Sequence, residues 1–123
     1  MASLIIVAGP AEGSYYPLGK RTVVIGRDEA VPVQILDEEI SRKHCQIRWD
    51  ETGKSYHVFD MKSANGTFVA GRRIYDDLAL ADGDVLEIGK SRVMFTVEDF
   101  PDRQSAFDYY KQRGERGKST LAH

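Results

Sequence analysis

A chain of 123 residues with 41% apolar side chains has material for one compact domain, which at this size buries roughly two-thirds of its extended surface. It contains no apolar run of the roughly eighteen residues that a membrane-spanning helix needs. The formal charge of −2 divides into −4 over residues 1–101 and +2 over residues 102–123, so the body exerts no long-range pull on polyanions and a nucleic-acid partner is not expected.

The opening MASLIIVAGPAEG has no basic stretch before its short apolar run, which is not the pattern of a secretory signal. Ser3 to Ala8 is the first predicted strand, a β-branched run. GSYYPLGKR, residues 13–21, superficially suggests a phosphate loop. Five residues separate its first Gly from Gly-Lys where a nucleotide loop has four, Pro17 is among them, and Arg21 stands where Ser or Thr is required. The segment reads as a loop with a short strand. Arg21 to Gly26 is the next strand. Cys45, Ile47 and Trp49 then alternate with His44, Gln46 and Arg48, the period of two that one buried face demands. Cys45, the single cysteine, is therefore a core thiol. It leaves no disulfide within the chain and no cysteine-based metal site, and a cytoplasmic setting is expected.

YHVFDM follows a turn at Glu51 to Lys54. TFVAGRRI comes next with a bend at Gly71, then VLEIG and RVMFTVE, in which Val93, Phe95 and Val97 share a face. Gly89-Lys90-Ser91 is a tight turn. Breaks at Gly, Asp and Asn recur every eight to twelve residues or so, the rhythm of an antiparallel sandwich or barrel. No helical period interrupts the strands, which disfavours a parallel βαβ sheet. The division drawn from composition is a domain over residues 1–100 and a tail over 101–123. The tail carries one short helix from about Asp102 to Gln112, capped by Asp102 and ended by Gly114, with Ala106, Phe107 and Tyr110 on the docking side. Beyond Gly114 it reads as polar and mobile.

Catalytic and metal patterns are weak. His44, His57 and His123 lack ligand spacing. Ser41 with His44 has no identifiable orienting carboxylate and no nucleophile elbow, so no enzyme is expected. Asp37-Glu38-Glu39 and Asp76-Asp77 read as solvated loops, without the spacing of a calcium loop. No metal and no cofactor are expected.

Three loop pieces remain: Gly26-Arg27, Ser41-Arg42-Lys43-His44, and Ser63-Ala64-Asn65-Gly66-Thr67. Singly, each reads as an ordinary turn. Together, on an all-β chain, the stretches IGRDE, ISRKHCQIRW and DMKSANGTFVAG resemble the forkhead-associated (FHA) domain, over about residues 3 to 98. The resemblance implies an all-β, eleven-stranded antiparallel β-sandwich of the FHA/SMAD-like kind that binds phosphothreonine peptides through loops at one end. It implies that Arg27 and Ser41 meet the phosphate, that Arg42 adds a contact, that Asn65 holds the peptide main chain, and that His44 braces the loops. Gly26 and Gly66 read as backbone requirements. Lys43 either enlarges the positive field or stays solvated. The chemistry agrees independently: a phosphate presents about −1.5 to −2 charges and three acceptor oxygens, which an arginine fork, a hydroxyl and amide donors suit.

Two positions depart from the family pattern. Ala64 stands where many members have Thr or Ser, so a hydroxyl contact is missing; Ala70 precedes Gly71 where Asn-Gly is usual, which touches only a hairpin turn distal to the site. In the family the third residue after the phosphothreonine often decides selectivity, and Glu38 and Glu39 are expected to disfavour an acidic one there. The implied partner is a phosphothreonine-containing protein, a Ser/Thr kinase or its substrate. A phosphate-independent structural or oligomerisation module is the alternative on the same fold. Phosphorylation of Thr120, behind the basic residues of RGKST, would let one molecule's tail enter another's site.

Overall fold

The computed structural model describes residues 2–121, with side chains described through Gln112. Eleven strands and one helix follow in order: β1 (Ser3–Ala8), β2 (Tyr15–Pro17), β3 (Val23–Gly26), β4 (Val33–Gln34), β5 (Cys45–Asp50), β6 (Ser55–Asp60), β7 (Thr67–Val69), β8 (Arg72–Ile74), β9 (Asp77–Ala79), β10 (Val85–Ile88), β11 (Ser91–Thr96) and α1 (Arg103–Leu121). Two sheets form, one in the order β2-β1-β11-β10-β7-β8 and one in the order β4-β3-β5-β6-β9. All pairings are antiparallel except β3 with β4, where Ile25 faces Val33 and Gly26 faces Gln34 in parallel. That short pair departs from the wholly antiparallel expectation. The chain turns at Asp28, whose carbonyl accepts Val31 N–H at 3.3 Å, and returns alongside β3 in its original direction.

Alternation does the packing. Leu4, Ile6, Leu86, Ile88, Val93 and Phe95 from one sheet meet Ile25, Ile47, Tyr56 and Val58 from the other. Burying each such side chain contributes about 1.5–3 kcal/mol. Val97 does not join Phe95: β11 ends at Thr96 and Val97 is exposed. Cys45 is fully buried, and burial pushes its thiol up to about 12, so it is inert at neutral pH.

β1 is buried on both faces because α1 covers its outer side. Ile5, Val7 and Met94 pack there against Ala106, Phe100, Tyr109 and Tyr110. Tyr110 donates its hydroxyl to Val7 O at 3.3 Å, and Asp102 Oδ1 caps the helix by accepting Ser105 N–H at 2.8 Å. The helix does not stop at Gly114 but runs on to Leu121. A helical Gly costs only about 1 kcal/mol, and no Pro follows to break the turn. The side chains of Ser119 and Thr120, and all of His123, lie outside the described residues, as does the tail-phosphorylation expectation. Among the described residues no helix is long and apolar enough to cross a membrane.

Candidate functional site

Strand register brings the three loop pieces to one end of the sandwich. Ile25 pairs with Cys45, and Cys45 pairs with Asp60. The end of β3, the start of β5 and the end of β6 are therefore adjacent. On the facing sheet Thr67 pairs with Ile88, which sets the start of β7 beside the β10–β11 turn.

Arg27 leaves β3 with its backbone N–H on Ser41 O at 3.0 Å and its Nε on Ile40 O at 3.1 Å. Both bonds tie it to the segment that carries the Ser41 hydroxyl. The side chain is exposed, and its two terminal nitrogens make no hydrogen bond or ion pair among the described residues. Gly26 is required by close approach: a Cβ there would lie 2.0 Å from Arg42 O.

Ser41 Oγ accepts the Ala64 N–H at 2.9 Å, leaving its own proton free to donate. Ala64 is exposed and contributes a backbone N–H, already directed at Ser41, but no hydroxyl. Asn65 is also exposed; its Nδ2 donates to Glu39 O at 2.9 Å, so its amide oxygen faces solvent without a partner among the described residues. Arg42 and Lys43 project outward, with only the Arg42 carbonyl engaged, by Asp28 N–H at 3.2 Å. His44 is fully buried. Its Nδ1 accepts Ser41 N–H at 3.0 Å and its Nε2 meets Gly66 O at 2.8 Å. Gly66 has φ +90°, and a Cβ on it would strike Arg73 Nε at 2.8 Å.

Two carboxylates, Asp37 and Asp60, organise these loops. Asp37 is buried rather than solvated. Its Oδ1 accepts Glu39 N–H at 2.9 Å, and its Oδ2 accepts Lys90 N–H at 2.8 Å and the Ser91 hydroxyl at 2.9 Å. Asp60 Oδ1 accepts the hydroxyls of Ser63 at 2.5 Å and Thr67 at 2.8 Å, and its Oδ2 accepts Ser63 N–H at 3.0 Å. Ser63 Oγ in turn accepts Gly66 N–H at 3.0 Å. Burial alone would push both carboxyls up; the donors on Asp60 from Ser63 and Thr67, and on Asp37 from Glu39, Ser91 and Lys90, outweigh it and hold both below the usual range. The signal was present in the chain: Asp60 shares the core-facing parity of Tyr56 and Val58, and Asp37 that of Val33 and Ile35.

The result is a donor-rich tip. It holds free guanidinium nitrogens, a free hydroxyl proton and an outward amide, all on loops fixed from behind by buried hydrogen bonds. Such a surface suits a compact anion carried on an extended backbone. Within the Ala70-Gly71 turn, which the family pattern leads one to expect distal to the site, Gly71 lines a cleft together with Asn65.

Known proteins are similar to this chain in sequence and in fold. A family model of the FHA domain matches residues 23–89. The oxoglutarate dehydrogenase inhibitor of Corynebacterium jeikeium is 35% identical over 76% of this chain and 63% of its own length. The glycogen accumulation regulator GarA of Mycolicibacterium smegmatis is 36% identical over 76% of this chain and 58% of its own. The match thus spans about six-tenths of these curated relatives. Among solved structures, one from a study of phosphothreonine-dependent FHA domain interactions superposes with TM-score 0.70 at 30% identity, over 80% of this chain and 98% of that one. Mycobacterium tuberculosis EmbR, in complex with a low-affinity phosphopeptide, superposes with TM-score 0.70 at 30% identity, over 82% of this chain and 25% of EmbR. With its motif residues gathered at one tip of a two-sheet sandwich, this chain belongs to the FHA domain family.

Proposed function

We propose that this chain binds phosphothreonine peptides and recruits a protein phosphorylated by a Ser/Thr kinase, acting as an adaptor and not as an enzyme. The observation that carries the reading is the coupling of Arg27 to the Ser41 segment through Ile40 O and Ser41 O, with the terminal guanidinium nitrogens left free. In this reading Arg27 and the Ser41 hydroxyl take the phosphate oxygens, and Arg42 adds charge at the rim. Asn65 exchanges its bond to Glu39 O for bonds to the peptide backbone. His44, Gly26 and Gly66 hold the loops in place. Lys43 contributes field more than contact, being exposed and unanchored. Residues 1–100 are the binding module, and residues 101–123 are an appended segment whose helix covers the outer face of β1. A cytoplasmic setting, where Ser/Thr kinases and reduced thiols coexist, fits a chain with one buried cysteine.

The test is calorimetry with a peptide library centred on phosphothreonine, run against the same library bearing threonine and phosphoserine. Saturable binding only to the phosphothreonine set is expected. A partner captured equally well before and after phosphatase treatment would replace this reading with phosphate-independent assembly.

A further inference from the structure

Beside the Asn65–Gly66 turn lies an open cleft of about 380 Å³, lined by Glu39, Asn65, Phe68, Gly71, Glu87 and Gly89. Phe68 and Glu87 stand opposite each other across β7 and β10. Their neighbours Thr67, Val69, Leu86 and Ile88 are buried in the core, so Phe68 and Glu87 face outward and form the floor of this cleft. Both are half-buried. The Glu87 carboxylate makes no hydrogen bond or ion pair among the described residues.

The neighbouring cations leave it that way. Arg92 is opposite Glu87 in register but exposed and forms no ion pair with it among the described residues. Arg73, on the other side of Phe68, lays its guanidinium over the Tyr75 ring at 5.1 Å. Lys90 meets Glu39 at 3.6 Å with its side chain 80% exposed, a contact that solvent screens and a competitor displaces.

An aromatic wall, a half-sunk carboxylate without a partner and a second carboxylate at the rim suit a long alkyl stem ending in a cation. We propose that this cleft receives a lysine or arginine side chain flanking the phosphothreonine, so that the recognised peptide pairs a dianion at Arg27 with a cation at Glu87 and Glu39. This rests on the phosphopeptide reading of the adjoining loops. An acidic side chain there would face two carboxylates. An apolar one would cover Glu87 and leave a buried charge unpaired.

The experiment uses phosphothreonine peptides on a neutral background, with lysine, norleucine or glutamate placed in turn at each flanking position. At one position the lysine peptide should bind about fivefold tighter than norleucine and more tightly still than glutamate, as for a partly screened ion pair. In Glu87→Gln, and to a lesser degree in Glu39→Gln, the lysine-to-glutamate ratio at that position should collapse towards one. Phosphate-dependent binding with no lysine preference at any position, or with a preference that survives both substitutions, would overturn the cleft while leaving the phosphate site intact. Failure of every phosphopeptide to bind would overturn both.

Discussion

The Ser41 N–H donates to Nδ1 of His44 at 3.0 Å, and the opposite ring nitrogen lies 2.8 Å from Gly66 O. Because Nδ1 accepts, the proton resides on Nε2, which donates to Gly66. One neutral ring thus spans the loop bearing Ser41 and the turn bearing Asn65. His44→Ala leaves a donor and an acceptor without partners and opens a void. It should cost about 2–4 kcal/mol, read as a lower urea midpoint at unchanged slope. An unaltered midpoint would mean that the ring is not the brace.

Arg27 spends its Nε on Ile40 O and keeps its terminal nitrogens free. Arg27→Ala should weaken phosphothreonine-peptide binding by about 2–5 kcal/mol, as when one partner of a desolvated charge pair is removed. Arg27→Lys keeps the charge but loses both the fork and the anchoring Nε, so it should restore only part of the loss. Calorimetry on the three proteins checks this; equal affinities would place the phosphate elsewhere.

The carboxylates of Asp60 and Asp37 set the acid limit of the fold. Both are held below their ordinary value of 3.8 in the folded chain, so below that value the unfolded chain binds more protons and stability rises with pH. The contribution is complete above the unfolded value and is lost as pH falls through the folded ones. Denaturant midpoints should therefore hold steady near neutrality and drop between about pH 5 and pH 2. Asp60→Asn replaces an acceptor of three bonds with an amide whose NH2 confronts the Ser63 donors. It should lower stability by about 1–3 kcal/mol at pH 7 and flatten the acid decline. A decline as steep as in the parent chain would assign it to other groups.

Much of this architecture is legible in the chain because local rules agree with the final fold. The bounds of β1 coincide with its β-branched run, and Cys45 and Ile47 are buried as their parity requires. Arg27, Ser41, His44 and Asn65 meet at one end as their motifs imply. β4 and β9 escape notice because two or three residues cannot display a period. Asp37 is misread for a different reason. Hydropathy assigns a carboxylate to solvent, whereas two of the donors that offset its burial, Lys90 N–H and the Ser91 hydroxyl, come from 53 and 54 residues away. Only tertiary pairing supplies such donors, so a buried acid at core parity is the one local trace they leave.

At Gly26 the constraint is space and not dihedral freedom. An added methyl would lie 2.0 Å from Arg42 O and 2.7 Å from Arg42 C, both backbone atoms. Relief demands that the Ser41–Arg42 segment move away from Arg27. Gly26→Ala should therefore impair peptide binding even in protein that remains folded, with overpacking costing about 1–3 kcal/mol of stability. A variant that matches the parent chain in both measurements would show that the two segments slide freely past each other.

Ala70 carries the opposite kind of cost. It occupies the first position of the two-residue turn between Val69 and Arg72 with φ 53°, and Gly71 follows at φ 78°. Two successive positive φ values define a type I′ turn, whose twist suits adjacent strands but whose first position favours Asn, Asp or Gly. An alanine there forfeits roughly 1 kcal/mol because its Cβ crowds the following carbonyl. Ala70→Asn should raise the thermal midpoint by about 2–6 °C for a domain of this size. Ala70→Gly should gain less, since glycine also loosens the unfolded chain. The order asparagine, glycine, alanine in calorimetric midpoints is the signature of a strained turn. Equal midpoints would mean that the β7–β8 hairpin relaxes around the methyl, and that the alanine carries no penalty.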